Sequence, residues 1–177
     1  MIRITGGIFK GRFIYDVPGK RTRPTTSIVK QAVFNMVDVD EKSFLDLFCG
    51  SCAVLIEAIS RGACCGYGVD ISSKAIATCK KNAKLLEINN KVILYKANAV
   101  SFVHSSGMGF DVIYIDPPYG LGIAQKVLKV MKEDILNPDG ILIIEERKGE
   151  RITLPPFLKE EKIKIYGDTI IIVARKA

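Results

Sequence analysis

The sequence predicts an α/β protein built on a doubly wound, mixed sheet of seven strands. Three observations carry this. From Ser43 onward, apolar runs alternate with amphipathic stretches, the pattern of successive βα units. After Glu146 the helical patterns stop, and KIKIYGDTIIIVAR, Lys162 to Arg175, reads as an antiparallel hairpin about a tight YGD turn. The loop closing the first strand of the alternating part, LDLFCGSC over Leu45 to Cys52, carries a glycine where doubly wound sheets meet their ligands.

The elements follow in order. Residues 2 to 17 alternate weakly around GG and KG, which predicts a short β-hairpin outside the main fold. PGKRTRP, Pro18 to Pro24, is a loop, and Thr26 or Ser27 then caps a helix with Val29, Val33, Met36 and Val37 on its apolar face, beside Ala32 and Phe34. Five strands are expected over Phe44 to Phe48, Gly66 to Val69, Val92 to Tyr95, Val112 to Ile115 and Ile141 to Glu145. The intervening helices are expected near Ala53 to Ser60, Lys74 to Leu86, Ala99 to His104 and Leu121 to Leu136. The last has Leu121, Ala124, Leu128, Met131 and Ile135 on one stripe and NPDG as its closing turn. Residues 1–40 then make a basic extension of hairpin and helix on a domain over 41–177, the two forming one compact unit.

A chain of 177 residues, nearly half apolar, is long enough for one globular domain. It shows neither a signal-peptide pattern at Met1 to Lys10 nor an apolar run approaching the roughly 18 residues that span a bilayer, so it reads as cytoplasmic, with no membrane partner. The five cysteines, Cys49, Cys52, Cys64, Cys65 and Cys79, are then expected as reduced thiols. Charge is unevenly placed: residues 1–30 carry seven cations against Asp16, which accounts for six of the net seven positive charges. A neutral body with a basic N-terminal sixth fits a phosphate-rich partner, and equally a solvated basic face.

C-x-x-C in LDLFCGSC has three readings. A thioredoxin-type dithiol also lies between a strand and a helix, but the neighbouring elements do not follow that order. Zinc would need four ligands, and adjacent Cys64 and Cys65 with Cys79 and His104 do not make the usual second knuckle, so no metal is expected. A cofactor loop with incidental cysteines remains. Gly50 lets the backbone approach a ligand, and the amides of Ser51 and Cys52 open the next helix toward acceptor groups. The second and third glycines of a pyrophosphate loop are missing, which disfavours NAD. Asp70, twenty residues on at the end of GYGVD, is placed to take ribose hydroxyls; its plain alternative is a cap on the helix after Ser72. An adenosine cofactor without a pyrophosphate satisfies both features, and S-adenosylmethionine is the expected one. Asp46, a charge inside a strand, must be hydrogen-bonded or paired, and braces either the loop or the amino-acid end of the cofactor.

DVIYIDPPYG, Asp111 to Gly120, is the most specific stretch. Two prolines stiffen the strand exit and remove two backbone donors, which leaves an acceptor set of the Asp116 carboxylate, the Pro117 carbonyl and the face of Tyr119. An exocyclic base amine needs such a set, because its lone pair is delocalised until acceptors hold its hydrogens and turn it toward a methyl donor roughly 3 to 3.5 Å away. The base must be single-stranded or flipped out to enter.

TRPTTSIVKQAVFN (Thr22 to Asn35), LDLFCGSCAVLIEAISRGA (Leu45 to Ala63) and DPPY resemble the RsmD-type 16S rRNA guanine-N2 methyltransferases, over nearly the whole chain. The segment from RPTT to FN discriminates, since DPPY also occurs in adenine-N6 and cytosine-N4 DNA methyltransferases. The resemblance implies a Rossmann-like class I methyltransferase fold, S-adenosylmethionine as donor, and one guanine of 16S rRNA, free or in the assembling small subunit, as target; a monomer is expected. It assigns Asp116, Pro117 and Tyr119 to the guanine. Asp46, Phe48, Gly50, Ser51, Asp70, Ile71, Asn98, Ala99 and Asp116 would line the cofactor, Asn98 having a helix cap as its alternative. Lys10, Arg12, Arg21, Arg23 and Thr25 would meet RNA. The chain departs from the pattern at Cys52, where the family has the second glycine of GSG, at Gln31 for Glu, and at Ser27 for Asp. Cys52 is expected to fit an ordinary helical backbone.

Overall fold

A computed structural model describes residues 1–19 and 27–177. The chain opens with short paired strands β1 (Ile2–Arg3) and β2 (Phe13–Ile14) and helix α1 (Ser27–Met36). There follow β3 (Ser43–Asp46), α2 (Ala53–Ser60), β4 (Cys65–Asp70), α3 (Ser73–Leu85), β5 (Val92–Lys96), α4 (Ala99–Ser105), β6 (Phe110–Ile115), α5 (Ile123–Val130), β7 (Leu136–Arg147), β8 (Leu158–Tyr166) and β9 (Thr169–Lys176). The seven long strands form one sheet in the order β5-β4-β3-β6-β7-β9-β8, parallel from β5 to β7 and antiparallel at β9 and β8. From β3 the chain winds outward to β5, then crosses back to β6. The carboxyl ends of β3 and β6 therefore flank the switch point where ligands bind in this architecture.

Period-two alternation fills both faces of the sheet. Phe44, Val112, Tyr114, Ile143 and Val173 pack with α1, α2 and α3, whereas Leu45, Ile113, Ile115, Leu142 and Ile144 pack with α4 and α5. The strands are apolar almost throughout because both faces are covered. The outer strand β8 differs: Lys159, Glu160, Glu161, Lys162 and Lys164 are exposed, and such charge discourages edge-to-edge pairing.

Two sequence expectations need correction. The helix expected over Leu121 to Leu136 is shorter than its stripe: α5 ends at Val130 with Met131 extended; Met131 and Ile135 are still buried, but from a connecting segment, and Leu121 is exposed. NPDG is no helix stop. It forms an excursion within β7, where the pairing with β6 slips between Phe110 and Val112 and Asp139 takes a positive φ of 60°.

The N-terminal hairpin is not outside the packing either. Ile4 and Ile14 belong to the core shared with α1 and α2, and a buried polar knot fixes them there. Glu57 of α2, fully buried, accepts from the Thr5 amide at 2.9 Å, the Thr5 hydroxyl at 2.6 Å and the Arg61 guanidinium at 3.0 Å. Lys30 of α1, 1% exposed, donates to the Arg3 carbonyl at 2.9 Å and lies 3.8 Å from Glu57. One cation of the basic N-terminal run is thus neutralised inside the protein, where burial lowers its pKa and Glu57 opposes that shift.

Candidate active site

Five parallel strands deliver their carboxyl ends to one edge of the sheet. The turn after β3 lies across this edge: the Leu47 amide donates to the Tyr114 carbonyl of β6, and the Cys49 amide to the Val69 carbonyl of β4. Leu45 to Cys52 therefore straddles the switch point. Gly50 has a φ of 51°, the left-handed region that favours glycine, and a Cβ there would meet nothing within 4 Å. Backbone conformation selects glycine at this place, and open space lies in front of it.

Asp70 ends β4 and holds the turn. One carboxylate oxygen accepts from the Gly50 amide at 2.9 Å and the other from the Ser72 amide at 2.8 Å, while Ser72 itself caps α3 through the Ala75 amide. Asp70 thus ties the Gly50 turn to the entry of α3, whose cap is Ser72 and not Asp70, and a carboxylate with about four lone-pair positions retains capacity for further donors. Ile71 beside it is exposed, Phe48 half-buried and Ser51 buried. Asn98 caps α4, accepting from the Ser101 amide at 3.2 Å, next to buried Ala99.

Asp46, 2% exposed, accepts from the Phe48 amide at 3.2 Å. Burial pushes its carboxyl up to about 7, the Phe48 amide opposes this, and the charges of Asp70 and Glu145 add to it. Asp46, Asp70 and Glu145 make this edge electronegative, and Asp116 joins them at the end of β6. Such a carboxylate set fits a cationic ligand, and with the open space at Gly50 it fits the sulfonium and ammonium groups of S-adenosylmethionine.

In the turn after β6, Pro117 is buried and Asp116 and Tyr119 are half-buried. The Tyr119 hydroxyl donates to Glu145 at 3.1 Å and lies 3.1 Å from the Thr169 hydroxyl. The same carboxylate takes the hydroxyl of buried Tyr114 through its other oxygen. Burial raises both phenols above their ordinary values. Glu145, 3% exposed at the end of the apolar run of β7, was missed by the sequence reading, although a carboxylate at the carboxyl edge of an interior strand is itself a signal.

The predicted RNA-contacting residues divide. Lys10 and Arg12 are exposed, and Arg12 donates to the Leu85 carbonyl at 3.2 Å and lies over the Phe9 ring. Arg21, Arg23 and Thr25 lie outside the described residues. The surface hollows beside α3 and α5, the latter lined by Gln125, Leu128 and Phe157, share no residue with this edge.

The cysteines contradict two expectations. Cys52 and Cys79 are disulfide-bonded rather than reduced, because the start of α2 and the middle of α3 pack with Cα atoms 5.3 Å apart, within disulfide reach. Cys52 is not in a helical conformation: its φ of 63° and ψ of 25° are left-handed, where the glycine of the RsmD-type pattern is unstrained and a side chain costs roughly 1 to 2 kcal/mol.

Comparisons with known proteins agree with this geometry. The family model described as conserved hypothetical protein 95 matches residues 2–175. The chain is 35% identical over 182 residues to the Bacillus subtilis (strain 168) protein named "Putative rRNA methyltransferase YlbH", covering 99% of both. It is 30% identical over 172 residues to "Ribosomal RNA small subunit methyltransferase D" of Escherichia coli (strain K12), covering 94% of this chain and 85% of that one. Among solved structures, "Putative methyltransferase yhhF from Escherichia coli" superposes with a TM-score of 0.88 at 26% identity, over 99% of this chain and 97% of that one. The fold is therefore a Rossmann-like class I methyltransferase fold, and the chain belongs to the conserved hypothetical protein 95 family, the RsmD-type methyltransferases.

Proposed function

We propose that this protein methylates the exocyclic N2 amino group of one guanine in 16S rRNA, free or in the assembling small subunit, acting as a cytoplasmic monomer. The observation that carries the reading is the Asp116-Pro117-Pro118-Tyr119 turn at the end of β6, adjoining the Gly50 turn across the switch point. Relatives named as methyltransferases of small-subunit rRNA support the choice of substrate.

S-adenosylmethionine supplies an electrophilic methyl group on a sulfonium centre. Asp70 would hold its ribose, Asp46 the cationic amino-acid end, the Gly50 and Ser51 backbone its flank, and Phe48, Ile71, Asn98 and Ala99 the adenosine side. The Asp116 carboxylate and the Pro117 carbonyl accept the two N2 hydrogens and so free the nitrogen lone pair for in-line attack. Tyr119 stacks the extruded guanine, a contact worth roughly 1 to 3 kcal/mol per base. After transfer, the carboxylate already bonded to N2 takes the released proton. Lys10 and Arg12, with Arg21, Arg23 and Thr25, bind the surrounding phosphates, an interaction that weakens with salt.

The test is Asp116→Ala, assayed with labelled donor on unmethylated small subunits and by calorimetry with S-adenosylhomocysteine. Transfer is lost while cofactor affinity stays within about twofold, since the residue acts on the base amine. Transfer near the wild-type rate would refute the acceptor role.

A further inference from the structure

The three cysteines around the Gly50 turn converge from different elements. Cys49 lies in the turn, Cys52 opens α2 and Cys79 sits within α3; their sulfurs lie within 4.8 Å of one another and all three residues are buried. Cys52 and Cys79 are bonded, and the Cys49 sulfur is 3.7 Å from that of Cys79. The Cys79 sulfur is also 3.2 Å from the Gly50 carbonyl. That contact carries a proton only when Cys79 is a thiol, so opening the bond turns a bare sulfur contact into a weak hydrogen bond to the turn. Cys64 and Cys65, 3.5 Å apart, lie at the opposite end of β4 and take no part.

We propose that Cys49, Cys52 and Cys79 form a thiol–disulfide relay whose substrate is a low-molecular-weight disulfide, and that the bond between Cys52 and Cys79 tightens the cofactor turn. Cys49 is the least covered of the three, at 5% against 0% for the others, and is the entry point. Its thiolate attacks the small disulfide RSSR, forming a mixed disulfide and releasing RSH. The Cys79 thiol attacks the Cys49 sulfur, releasing the second RSH. The Cys52 thiol then attacks Cys79 and returns Cys49 as a thiol. Two protein thiols lose two electrons and two protons in all, and RSSR becomes two RSH. Reduction by excess RSH runs the sequence backward.

Closing the bond matters to the turn because Cys52 is held in a left-handed conformation that a side chain resists. With the bond open, Cys52, the residue that precedes α2, is released toward an ordinary conformation, and the adjoining Gly50 and Ser51 lose a fixed anchor on α3. The remaining ties to α3 are the Cys79 contact and the Asn82 amide, which donates to the Ser51 carbonyl at 2.9 Å. The weak thiol hydrogen bond gained on opening does not replace a covalent link.

The test equilibrates the full chain in glutathione buffers from reducing to oxidising, then quenches, denatures and alkylates it for peptide mapping. Oxidising buffer yields a linked pair of peptides containing Cys52 and Cys79, with Cys49, Cys64 and Cys65 alkylated; reducing buffer yields five alkylated cysteines. Five alkylated cysteines throughout, or native metal analysis showing the three thiols occupied by zinc, would overturn the relay. Cys49→Ser forms the same linked pair at least about tenfold more slowly, and an unchanged rate removes Cys49 from it. Calorimetry with S-adenosylhomocysteine tests the second half, which rests on the cofactor reading. The disulfide form binds about fivefold more tightly by preorganisation, and Cys52→Gly binds with no redox dependence. Equal affinity of the two forms overturns the coupling. Binding by neither form counts against the cofactor assignment, while the peptide map still decides the relay.

Discussion

Replacing Asp46 by Asn tests the electrostatics of the sheet edge. The wild-type carboxyl is pushed up to about 7 from an ordinary value near 3.8, chiefly by burial. A raised carboxyl pKa means that the folded state holds its proton more tightly than the unfolded one. This stabilisation is fully present below about pH 3.8 and is lost as pH rises toward 7. Three pK units correspond to about 4 kcal/mol, and relaxation of the site makes that an upper figure. Asn keeps an oxygen to accept the Phe48 amide and carries no charge. Asp46→Asn is therefore more stable than wild type at pH 8 by about 2 to 4 kcal/mol, and the two converge near pH 4. Urea unfolding of the cofactor-free proteins across this range reads the difference. The same charge has a use if a cation binds beside it: calorimetry near pH 7 in buffers of different ionisation enthalpy shows proton release on cofactor binding for wild type and none for the variant. Equal urea midpoints at pH 8 would mean that the carboxylate suffers no penalty from burial.

Three further outcomes are expected. Glu145→Gln lowers kcat at least about tenfold and leaves S-adenosylhomocysteine affinity unchanged, because the Tyr119 ring loses the anchor that orients it; Tyr119→Phe has the same phenotype, the double variant is no worse, and fully additive losses would contradict a shared anchor. Glu57→Ala strands buried Lys30 and costs roughly 3 to 5 kcal/mol in urea unfolding, mostly recovered by adding Lys30→Met; a loss below about 1 kcal/mol would mean that the knot contributes little. Reversing the charges of Arg21 and Arg23, or of Lys10 and Arg12, weakens RNA binding and flattens its salt dependence, and an unchanged salt slope would make that face mere solubilising charge.

The sheet was legible because its strands alternate residue by residue while both faces are covered, so Phe44 and Leu45 announce a strand even without a polar face. Periodicity overreached at α5. Met131 and Ile135 fit a helical stripe, and burial from an extended residue and a short 3-10 turn, Glu133–Ile135, satisfies them equally well. Asp70 and Asp116 could be found because each ends a strand of the alternating pattern, and a strand end in this topology is a place. Glu145 escaped because its partners Tyr114 and Tyr119 lie 31 and 26 residues away in the chain, and only the sheet order joins them. Cys79 escaped for the same reason: it is 27 residues from Cys52, in a helix where nothing local marks a thiol as paired. Lys30 counts toward the basic N-terminal charge in the sequence, and only the fold shows that Glu57 awaits it inside.

Whether the DPPY turn presents a guanine N2 amine to a methyl donor is read out by nucleoside analysis. Small ribosomal subunits, naked 16S rRNA and DNA are incubated with the protein and methyl-labelled S-adenosylmethionine, digested to nucleosides and separated. Label is expected in N2-methylguanosine from the ribosomal substrate. Label only in methylated adenine or cytosine, or in DNA alone, would contradict it.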